Sequence, residues 1–281
     1  MLTLHLDQVR ALFKLLETES EQYRPVLKQA LAAAIKTNPH AVEQVLKEDF
    51  SEHAPLAIVQ TLEEICWDDL AESFAKFSAK INPDLEEGLS LVAKFTAPTT
   101  ARGKISQPLN EIREEVRPIF QPKKSYREIA QELGEFMFSV KGFTVLPSVK
   151  TIRELSFPYF LSKKQGSVLC AACLYLCLAR NFKIDMEIVD MSGRILLYLP
   201  DTARQDFFTI DPLDNGKILS QDDCRTYLKS RSLPWNENTF SVLSSRLIIR
   251  RFLANMIYIL NKVGDQRRLS YLRNYLEIIK N

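Results

Sequence analysis

The stretch 166–180 reads Gly-Ser-Val-Leu-Cys-Ala-Ala-Cys-Leu-Tyr-Leu-Cys-Leu-Ala-Arg, and it contains the longest apolar run of the sequence. Its apolar run, 168–179, is twelve residues long. A membrane-spanning helix needs roughly 20 apolar residues, so this run is too short to cross a bilayer. A helix without a polar face is instead buried by protein on all sides, and we predict such a helix over about 166–180.

The strand-like part of the sequence follows this helix, at 184–210. Three short β-prone runs are separated there by turn signals at 192–193 and 200–201. They predict a small antiparallel sheet. A buried helix packed on such a sheet and surrounded by further helices gives an α+β fold class that is predominantly helical.

Helical periodicity dominates the rest of the chain. Residues 1–98 show consecutive amphipathic stripes, and Asn38-Pro39 and Asn82-Pro83 each supply an N-cap followed by a proline at the first helical position. The two signals lie 44 positions apart, within the roughly 40–47-residue period of HEAT-type repeats. Plain helical packing without a true repeat remains the alternative. Further helices are predicted at 107–117, 125–140, 220–229, 240–263 and 265–280, with a loop at 97–106.

These elements predict three domains. Residues 1–98 form a helical region with HEAT-like repeats, and 99–235 form the core that holds the central helix and the sheet. Residues 236–281 form a C-terminal helical hairpin packed on the core, with Gly264-Asp265 as its bend.

The composition is that of an ordinary globular protein: 46% of the 281 residues are hydrophobic, 26% are charged, and the net charge is +2. The N-terminus shows no basic region leading into an apolar core, so we expect no signal peptide. The five cysteines are an odd number, and three of them lie on one predicted helix. This pattern argues against a disulfide framework and favours reduced thiols, hence a cytoplasmic protein without a membrane segment.

Charge is unevenly distributed along the chain. Residues 1–100 hold sixteen acidic and nine basic side chains, whereas 217–281 hold twelve basic and five acidic ones. One interpretation is a partner-binding surface on the basic end; the other is a solvated face paired internally with the acidic N-terminal helices. The candidate partner-binding residues are Arg246, Arg250, Arg251, Arg267, Arg268 and Arg273.

Cys170 is the candidate nucleophile of the sequence. It lies near the start of the predicted central helix, where the positive end of the helix dipole favours a thiolate. Asp211 follows a β-prone run, where it serves either as the carboxylate of a Cys–His–Asp arrangement or as the cap of a turn. The histidines of the chain are His5, His40 and His53. None lies in the C-terminal three-quarters, so the base for such a triad is missing there.

The remaining cysteines of the central helix are Cys173 and Cys177, and we predict them to be small core residues. Three cysteines at helical spacing lack a fourth ligand, so they are a weak zinc signal and we expect no metal site. The sequence also has no phosphate-binding glycine loop, dinucleotide fingerprint or nucleic-acid module signature. We therefore expect no cofactor and no nucleic-acid partner.

Several short motifs together resemble a known family. Residues 163–175 read Lys-Lys-Gln-Gly-Ser-Val-Leu-Cys-Ala-Ala-Cys-Leu-Tyr, 210–216 read Ile-Asp-Pro-Leu-Asp-Asn-Gly, and 219–224 read Leu-Ser-Gln-Asp-Asp-Cys. With 136–143 and 250–258, they resemble the bacterial SirB family of the transglutaminase-like superfamily over about 84–281. The resemblance implies a transglutaminase-like core, with Cys170 and Asp211 at two positions of the superfamily's Cys–His–Asp triad.

The departures from the family concern its catalytic residues. The family has Pro-Gly-His-Phe-Leu where this chain has Ser-Gly-Arg-Ile-Leu at 192–196, so Arg194 stands at the position of the triad histidine. Arginine cannot accept a proton at neutral pH. Several relatives also carry serine at the position of Cys170. Arg194 is then either a surface residue at a strand end or the partner of Asp211 in a salt bridge.

The sequence therefore predicts a non-catalytic, degenerate transglutaminase-like protein that acts as a protein-interaction or scaffolding module. The first alternative is a cysteine-dependent acyl-transfer or hydrolytic enzyme that uses Cys170. The second is a nucleic-acid-associated protein that uses the basic C-terminal helices. If the protein is a non-catalytic module, we expect a protein partner, but no motif in the sequence identifies it.

Overall fold

A computed structural model describes residues 5–18, 21–50, 54–97, 105–201 and 206–279. The chain divides into two compact units, 1–70 and 71–281, whose boundary falls inside one long helix, Leu56–Ala79. The predicted fold class is confirmed, because the described residues are mainly helical and include a small antiparallel sheet. The division into domains at 98 and 235 stays a prediction.

The helices and strands of the described residues follow in chain order. The helices are α1 Leu6–Thr18, α2 Arg24–Thr37, α3 Pro39–Asp49, α4 Leu56–Ala79, α5 Leu85–Thr96, α6 Ser106–Val116, α7 Tyr126–Gly134, α8 Phe157–Lys163, α9 Val168–Asn181, α10 Gln221–Ser230, α11 Ser245–Val263 and α12 Gln266–Ile278. A π-helical segment, Glu135–Val140, continues α7, and 3-10 helices lie at Glu21–Tyr23, Ile152–Leu155 and Pro212–Asp214. The strands are β1 Thr144–Val145, β2 Gln165–Gly166, β3 Glu187–Met191, β4 Arg194–Asp201, β5 Asp206–Asp211, β6 Lys217–Leu219 and β7 Ser241–Val242.

The first unit is a helical bundle whose core comes from the apolar stripes of α1, α2, α3 and the first part of α4. Its buried side chains include Val9, Phe13, Leu31, Val45 and Ile58. The Asn38-Pro39 start signal is confirmed: the Asn38 side chain accepts a hydrogen bond from the backbone N–H of Ala41 at 3.2 Å. A side-chain oxygen at this position satisfies a backbone donor that has no partner within the helix.

The second unit is built around the predicted sheet, whose strand order is β6-β5-β4-β3-β7 with every pairing antiparallel. The register places Tyr198 opposite Glu187 on one side and opposite Thr209 on the other. Because successive side chains of a strand point to opposite faces, these three residues share one face. Leu196 on that face packs in a cluster with Cys224 and other residues of α10, so we call it the α10 face.

The opposite face of the sheet packs on α9, the predicted central helix. Leu197, Leu199, Phe208 and Ile210 of β4 and β5 are fully buried there, and α9 lies against β3 and β4. Every residue of α9 from Leu169 to Ala179 is buried, so the prediction of a helix buried on all sides is confirmed. No helix in the described ranges is long and apolar enough to cross a membrane.

The C-terminal hairpin joins α11 and α12 as predicted. Gly264 ends α11 in the left-handed conformation, φ 73°, and the Asp265 side chain caps the start of α12 by accepting from the N–H of Arg268. A close approach holds α11 to α5: a Cβ on Gly88 would lie 2.6 Å from a side-chain carbon of Ile249. Gly88 therefore allows a helix contact that a larger residue would block.

Two helix starts differ from the sequence prediction. Asn82 does not cap α5; Asp84 does, and its carboxylate accepts from the N–H of Glu87 at 3.0 Å. Asp84 lies two residues after Asn82, and the helix dipole favours a carboxylate at the start of a helix, so α5 begins after Asp84. Residues 241–242 are not helical, because Val242 pairs with Val189 as an edge strand before Ser244 caps α11. Residues 98–104 of the predicted loop lie outside the described residues.

Candidate functional site

An ion pair occupies the position where the sequence predicted a broken triad. Arg194 at the start of β4 and Asp211 at the end of β5 are brought together by the pairing of these strands. The Nε of Arg194 donates to Asp211 Oδ2 at 2.9 Å, and an Nη of Arg194 donates to the same oxygen. The other carboxylate oxygen accepts from the N–H of Leu213 at 2.9 Å. Both oxygens are thus used, one in an ion pair and one as a turn cap.

Burial makes this pair a structural one. The Asp211 side chain is fully buried, and that of Arg194 is 24% exposed. The guanidinium carbon of Arg194 also lies 4.6 Å from the ring centroid of Tyr227 on α10, a cation–π distance. A buried carboxylate needs such a partner, because taking an unpaired charge out of water costs on the order of several kcal/mol.

Cys170 lies in the first turn of α9, as predicted, but is not activated by that position. It is fully buried, and burial raises the pKa of its thiol to about 12. The hydrogen bond with Ser167 acts in the opposite direction and lowers it less. The hydroxyl of Ser167 accepts from the N–H of Cys170 at 3.2 Å and donates to its Sγ at 3.3 Å. The thiol therefore stays protonated near neutral pH.

The structure does not join Cys170 to the ion pair. Arg194 stacks on Tyr227 of α10 and so lies on the α10 face, whereas Cys170 is on α9, which packs on the other face. Among the described residues, Cys170 makes its hydrogen bonds with Ser167, and Asp211 makes its own with Arg194 and Leu213. The cysteine and the carboxylate predicted to share a triad thus have separate partners.

The other cysteines are also unmodified thiols. Cys173 and Cys177 are buried core residues as predicted, and burial raises the pKa of both thiols, that of Cys177 to about 12. Cys224 on α10 is buried with its sulfur 3.5 Å from the Thr209 hydroxyl, and burial raises its pKa as well. Cys66, in the first unit, is partly exposed. In the described ranges no group of three or more histidine, cysteine or acidic side chains could hold a metal ion.

The histidines lie outside this site in sequence and in unit. His5 and His40 belong to the first unit, whereas Cys170, Arg194 and Asp211 belong to the second. His53 lies outside the described residues. The second unit, residues 71–281, therefore has no histidine in its sequence.

The predicted basic cluster is largely committed to internal contacts. Arg246 donates from Nε to the carbonyl of Ser78 at 3.1 Å, at the end of α4, and Arg250 donates to the carbonyl of Leu276 at 2.9 Å, in the last turn of α12. Arg251 pairs with Asp190 of β3. These arginines satisfy carbonyls and a carboxylate of their own unit.

The other three arginines of the cluster lie on the hairpin. Arg268 pairs with Asp265 at 3.4 Å, Arg273 reaches Asn261 at 3.4 Å, and Arg267 is partly buried. The cluster is thus dispersed over several contacts, and its role in binding a partner stays a prediction.

Sequence reasoning missed two residues that shape the site. Tyr227 supplies the ring beneath Arg194, and no spacing rule connects it to residue 194 because its position depends on how α10 crosses the sheet. Tyr175 on α9 has a fully buried hydroxyl that finds no hydrogen-bond partner among the described residues. It lies against Gly216, where an added Cβ would come within 2.7 Å of the oxygen.

Comparison with protein families places the core of this chain in a known superfamily. A family profile described as the transglutaminase-like superfamily matches residues 103–254, more than half of the chain. This range contains α9, the sheet and α10, and hence Cys170, Arg194 and Asp211. No curated protein and no solved structure matches the chain.

Proposed function

Because this chain belongs to the transglutaminase-like superfamily, we propose that it is a degenerate, non-catalytic member that acts as a protein-interaction or scaffolding module. The observation that carries the proposal is the Arg194–Asp211 pair, which takes up the carboxylate at the triad position. An arginine paired with a buried carboxylate holds its proton throughout the neutral range, so it cannot serve as a general base.

The chemistry of acyl transfer explains why this substitution matters. The thiolate must attack a carbonyl carbon, and a general acid must then give a proton to the leaving amine. Cys170 is a buried, protonated thiol, and Arg194 cannot exchange a proton at neutral pH. A preserved fold without these two proton-transfer steps is suited to binding rather than turnover. This reasoning weighs against the alternative enzyme that uses Cys170.

The proposal also covers the subfamily, the cellular location and the nature of the N-terminal helices. The motifs at 163–175, 210–216 and 219–224 support a SirB-type member of the superfamily, and hence a bacterial protein. The odd number of reduced cysteines supports a cytoplasmic location. The helices of 1–98 are proposed to be HEAT-like repeats, whose stacked helix pairs commonly present protein-binding surfaces.

The basic C-terminal helices do not favour a nucleic-acid role. Arg246, Arg250 and Arg251 already bond to groups of their own unit, so binding phosphates with them would disrupt those contacts. Non-specific binding alone is expected, with a Kd of about 10⁻⁴ to 10⁻⁶ M at physiological salt. We accordingly keep a protein partner as the proposal.

The proposed function is tested by isolating a partner and then reconstituting the complex. The full chain is used as bait in a bacterial cytoplasmic extract, and the captured protein is purified separately and titrated calorimetrically against native protein and Cys170→Ser. We expect a complex of fixed stoichiometry and equal affinity for both proteins, because the buried thiol does not contact a partner. A purified candidate that is instead chemically modified or cleaved by the native protein, and not by Cys170→Ser, would refute the non-catalytic interpretation.

A further inference from the structure

A group of aromatic side chains lies on the α10 face of the sheet, beyond the ion pair. We call it the aromatic patch, and its members are Tyr198, Phe207, Trp235 and Phe240. The rings of Tyr198 and Phe207 stack with centroids 4.9 Å apart, and the ring of Trp235 is parallel to that of Phe207 at 6.5 Å. Phe240 meets both Phe207 and Trp235 edge-on, at 5.3 and 5.8 Å. All four side chains are partly exposed, so ring surface is open to solvent.

The patch is rigid for a surface of this kind. Tyr198 and Phe207 are held on paired strands, while Trp235 and Phe240 pack onto the same cluster as α10. Aromatic rings fixed in this way lose little conformational entropy when a ligand binds, which is one reason that tryptophan and tyrosine are frequent at binding hot spots.

Carboxylates border the patch on one side. Glu187 is the register partner of Tyr198, and Asp185 and Asp206 lie at neighbouring strand ends; all three are exposed. Partial burial raises the pKa of the Tyr198 hydroxyl, and the negative charges of these three carboxylates raise it further. No salt bridge to a described residue neutralises these three acids. The rim of the patch is therefore negatively charged.

The patch already binds one cation of the chain itself. The guanidinium carbon of Arg225 lies 4.9 Å from the ring centroid of Trp235, although the Arg225 side chain is half exposed. An arginine that could extend into water lies on the ring instead, as expected for a cation–π contact. Partly exposed rings beside carboxylates that form no salt bridge within the described ranges offer the same kind of environment to a second cation.

From this geometry we propose that the aromatic patch and the rim of Asp185, Glu187 and Asp206 bind a basic segment of a partner protein. The arginine or lysine heads of the segment lie on the open rings and pair with the carboxylates. This inference rests on the proposed protein-interaction function and names the chemistry of the partner. The charge of the rim excludes an acidic segment, because like charges brought together at a binding surface oppose association.

The test uses short peptides of defined charge and the fluorescence of Trp235, which lies in the patch. An Arg-Gly repeat peptide, a Glu-Gly peptide of equal length and spermidine are titrated into the full chain. The rim variant is Asp185→Asn/Glu187→Gln/Asp206→Asn. Its control is Glu17→Gln/Glu111→Gln/Glu277→Gln, which removes three exposed acids from α1, α6 and α12 and so changes the net charge equally.

We expect the Arg-Gly peptide alone to bind with a fluorescence change. Affinity should fall about tenfold in the rim variant, as three surface ion pairs of modest strength predict, and should be unchanged in the control. Phe207→Leu, which keeps an apolar side chain but removes a ring, should also weaken binding several-fold. Raising the salt concentration should weaken binding in the native protein more than in the rim variant.

Three outcomes of the titrations would overturn the proposal. They are equal binding of the acidic peptide, equal loss of affinity in the control, and binding of spermidine as tight as that of the peptide, which would indicate a small polycation instead. A partner captured equally by the native protein and the rim variant would sink this inference and leave the proposed function standing. Enzymatic turnover would refute the proposed function while leaving the peptide result unaffected.

Discussion

The two faces of the sheet in the second unit have different chemistry. On the α9 face the contacts are mostly apolar: α9 is buried along its length, and Cys170 is a protonated thiol bonded to Ser167. The guanidinium of Arg127 lies over the ring of Phe208 on this face, 4.7 Å from its centroid. On the α10 face, charges reach the sheet, because Arg194 pairs with buried Asp211 and stacks on Tyr227. The family match covers both faces.

Under the proposed non-catalytic function, this difference explains how the fold is kept without a reaction. Arg194 satisfies the buried carboxylate of Asp211, and the turn after β5 keeps its cap. The cysteine needs no partner beyond its own helix cap, so it persists as a core residue. The proposed non-catalytic function requires no proton relay between the two faces.

The largest effect is expected from breaking the α10 face. Asp211→Ala leaves Arg194 partly buried without its carboxylate and removes the cap on Leu213. We expect the free energy of unfolding to fall by about 3 kcal/mol, the lower end for a broken buried pair because Arg194 keeps some contact with water. Urea unfolding measures this loss of unfolding free energy. The control is Asp214→Asn, which breaks an exposed pair with Lys217 and should lower the free energy of unfolding by about 0.5 kcal/mol or less. A loss for Asp211→Ala no larger than that of the control would mean the pair is not structural.

A second effect concerns the packing beside α9. Gly216 has φ +77°, and an added Cβ would lie 2.7 Å from the Tyr175 hydroxyl, which is buried. We expect Gly216→Ala to lower the free energy of unfolding by about 2 kcal/mol, from backbone strain together with overpacking. Gly193→Ala is the matched control: its φ is also positive, at 91°, but no atom lies within 4 Å of an added Cβ. Equal losses in both variants would show that the contact with Tyr175 contributes nothing.

The burial of Cys170 predicts a pH dependence of stability. The Cys170 pKa is raised to about 12 by burial, so below the ordinary thiol pKa both folded and unfolded states hold the proton. As the pH rises above about 9, the unfolded state loses its proton first, and stability falls until the folded pKa is reached. The native protein should thus lose stability more steeply than Cys170→Ala between pH 9 and 12, by up to about 1.4 kcal/mol per pH unit. Identical slopes would mean that Cys170 is solvated; Cys66→Ala controls for removing a thiol elsewhere.

The smallest effect lies away from both faces, at the C-terminal hairpin. Arg250 donates to the carbonyls of Leu276 and Ile279, which have no partner within α12. Arg250→Ala should cost about 1–2 kcal/mol of unfolding free energy through lost hydrogen bonds to a charged donor. Arg273→Ala, on an exposed side chain with one long contact to Asn261, should change it by less than about 0.5 kcal/mol. If Arg250→Ala strongly weakened nucleic-acid binding without lowering the free energy of unfolding, the basic cluster would again be a candidate binding surface.

The contrast also shows how far the sequence could lead. The continuous apolar run predicts that α9 is buried, because no other environment suits such a helix. The sequence could not show towards which face of the sheet Arg194 points. Residues 195–197 are all apolar, so they give no alternation by which to assign a face. The Arg194–Asp211 contact depends on the register of β4 and β5, and the stacking on Tyr227 depends on how α10 crosses the sheet. In the sequence, Arg246 and Arg250 look like part of a free basic stripe. The structure shows that they bond to backbone carbonyls at the ends of α4 and α12.

A turnover assay on three proteins, native, Cys170→Ser and Arg194→His, decides whether the protein is non-catalytic. The substrates are an amide, a peptide and a glutamine–amine pair. We predict no turnover by the native protein or Cys170→Ser, because the thiol is protonated and the base is absent. Arg194→His restores the residue of the resembled family, and we predict no turnover from it either, because position 194 lies on the α10 face and Cys170 on the α9 side of the sheet. Turnover by the native protein that disappears in Cys170→Ser would contradict the account outright.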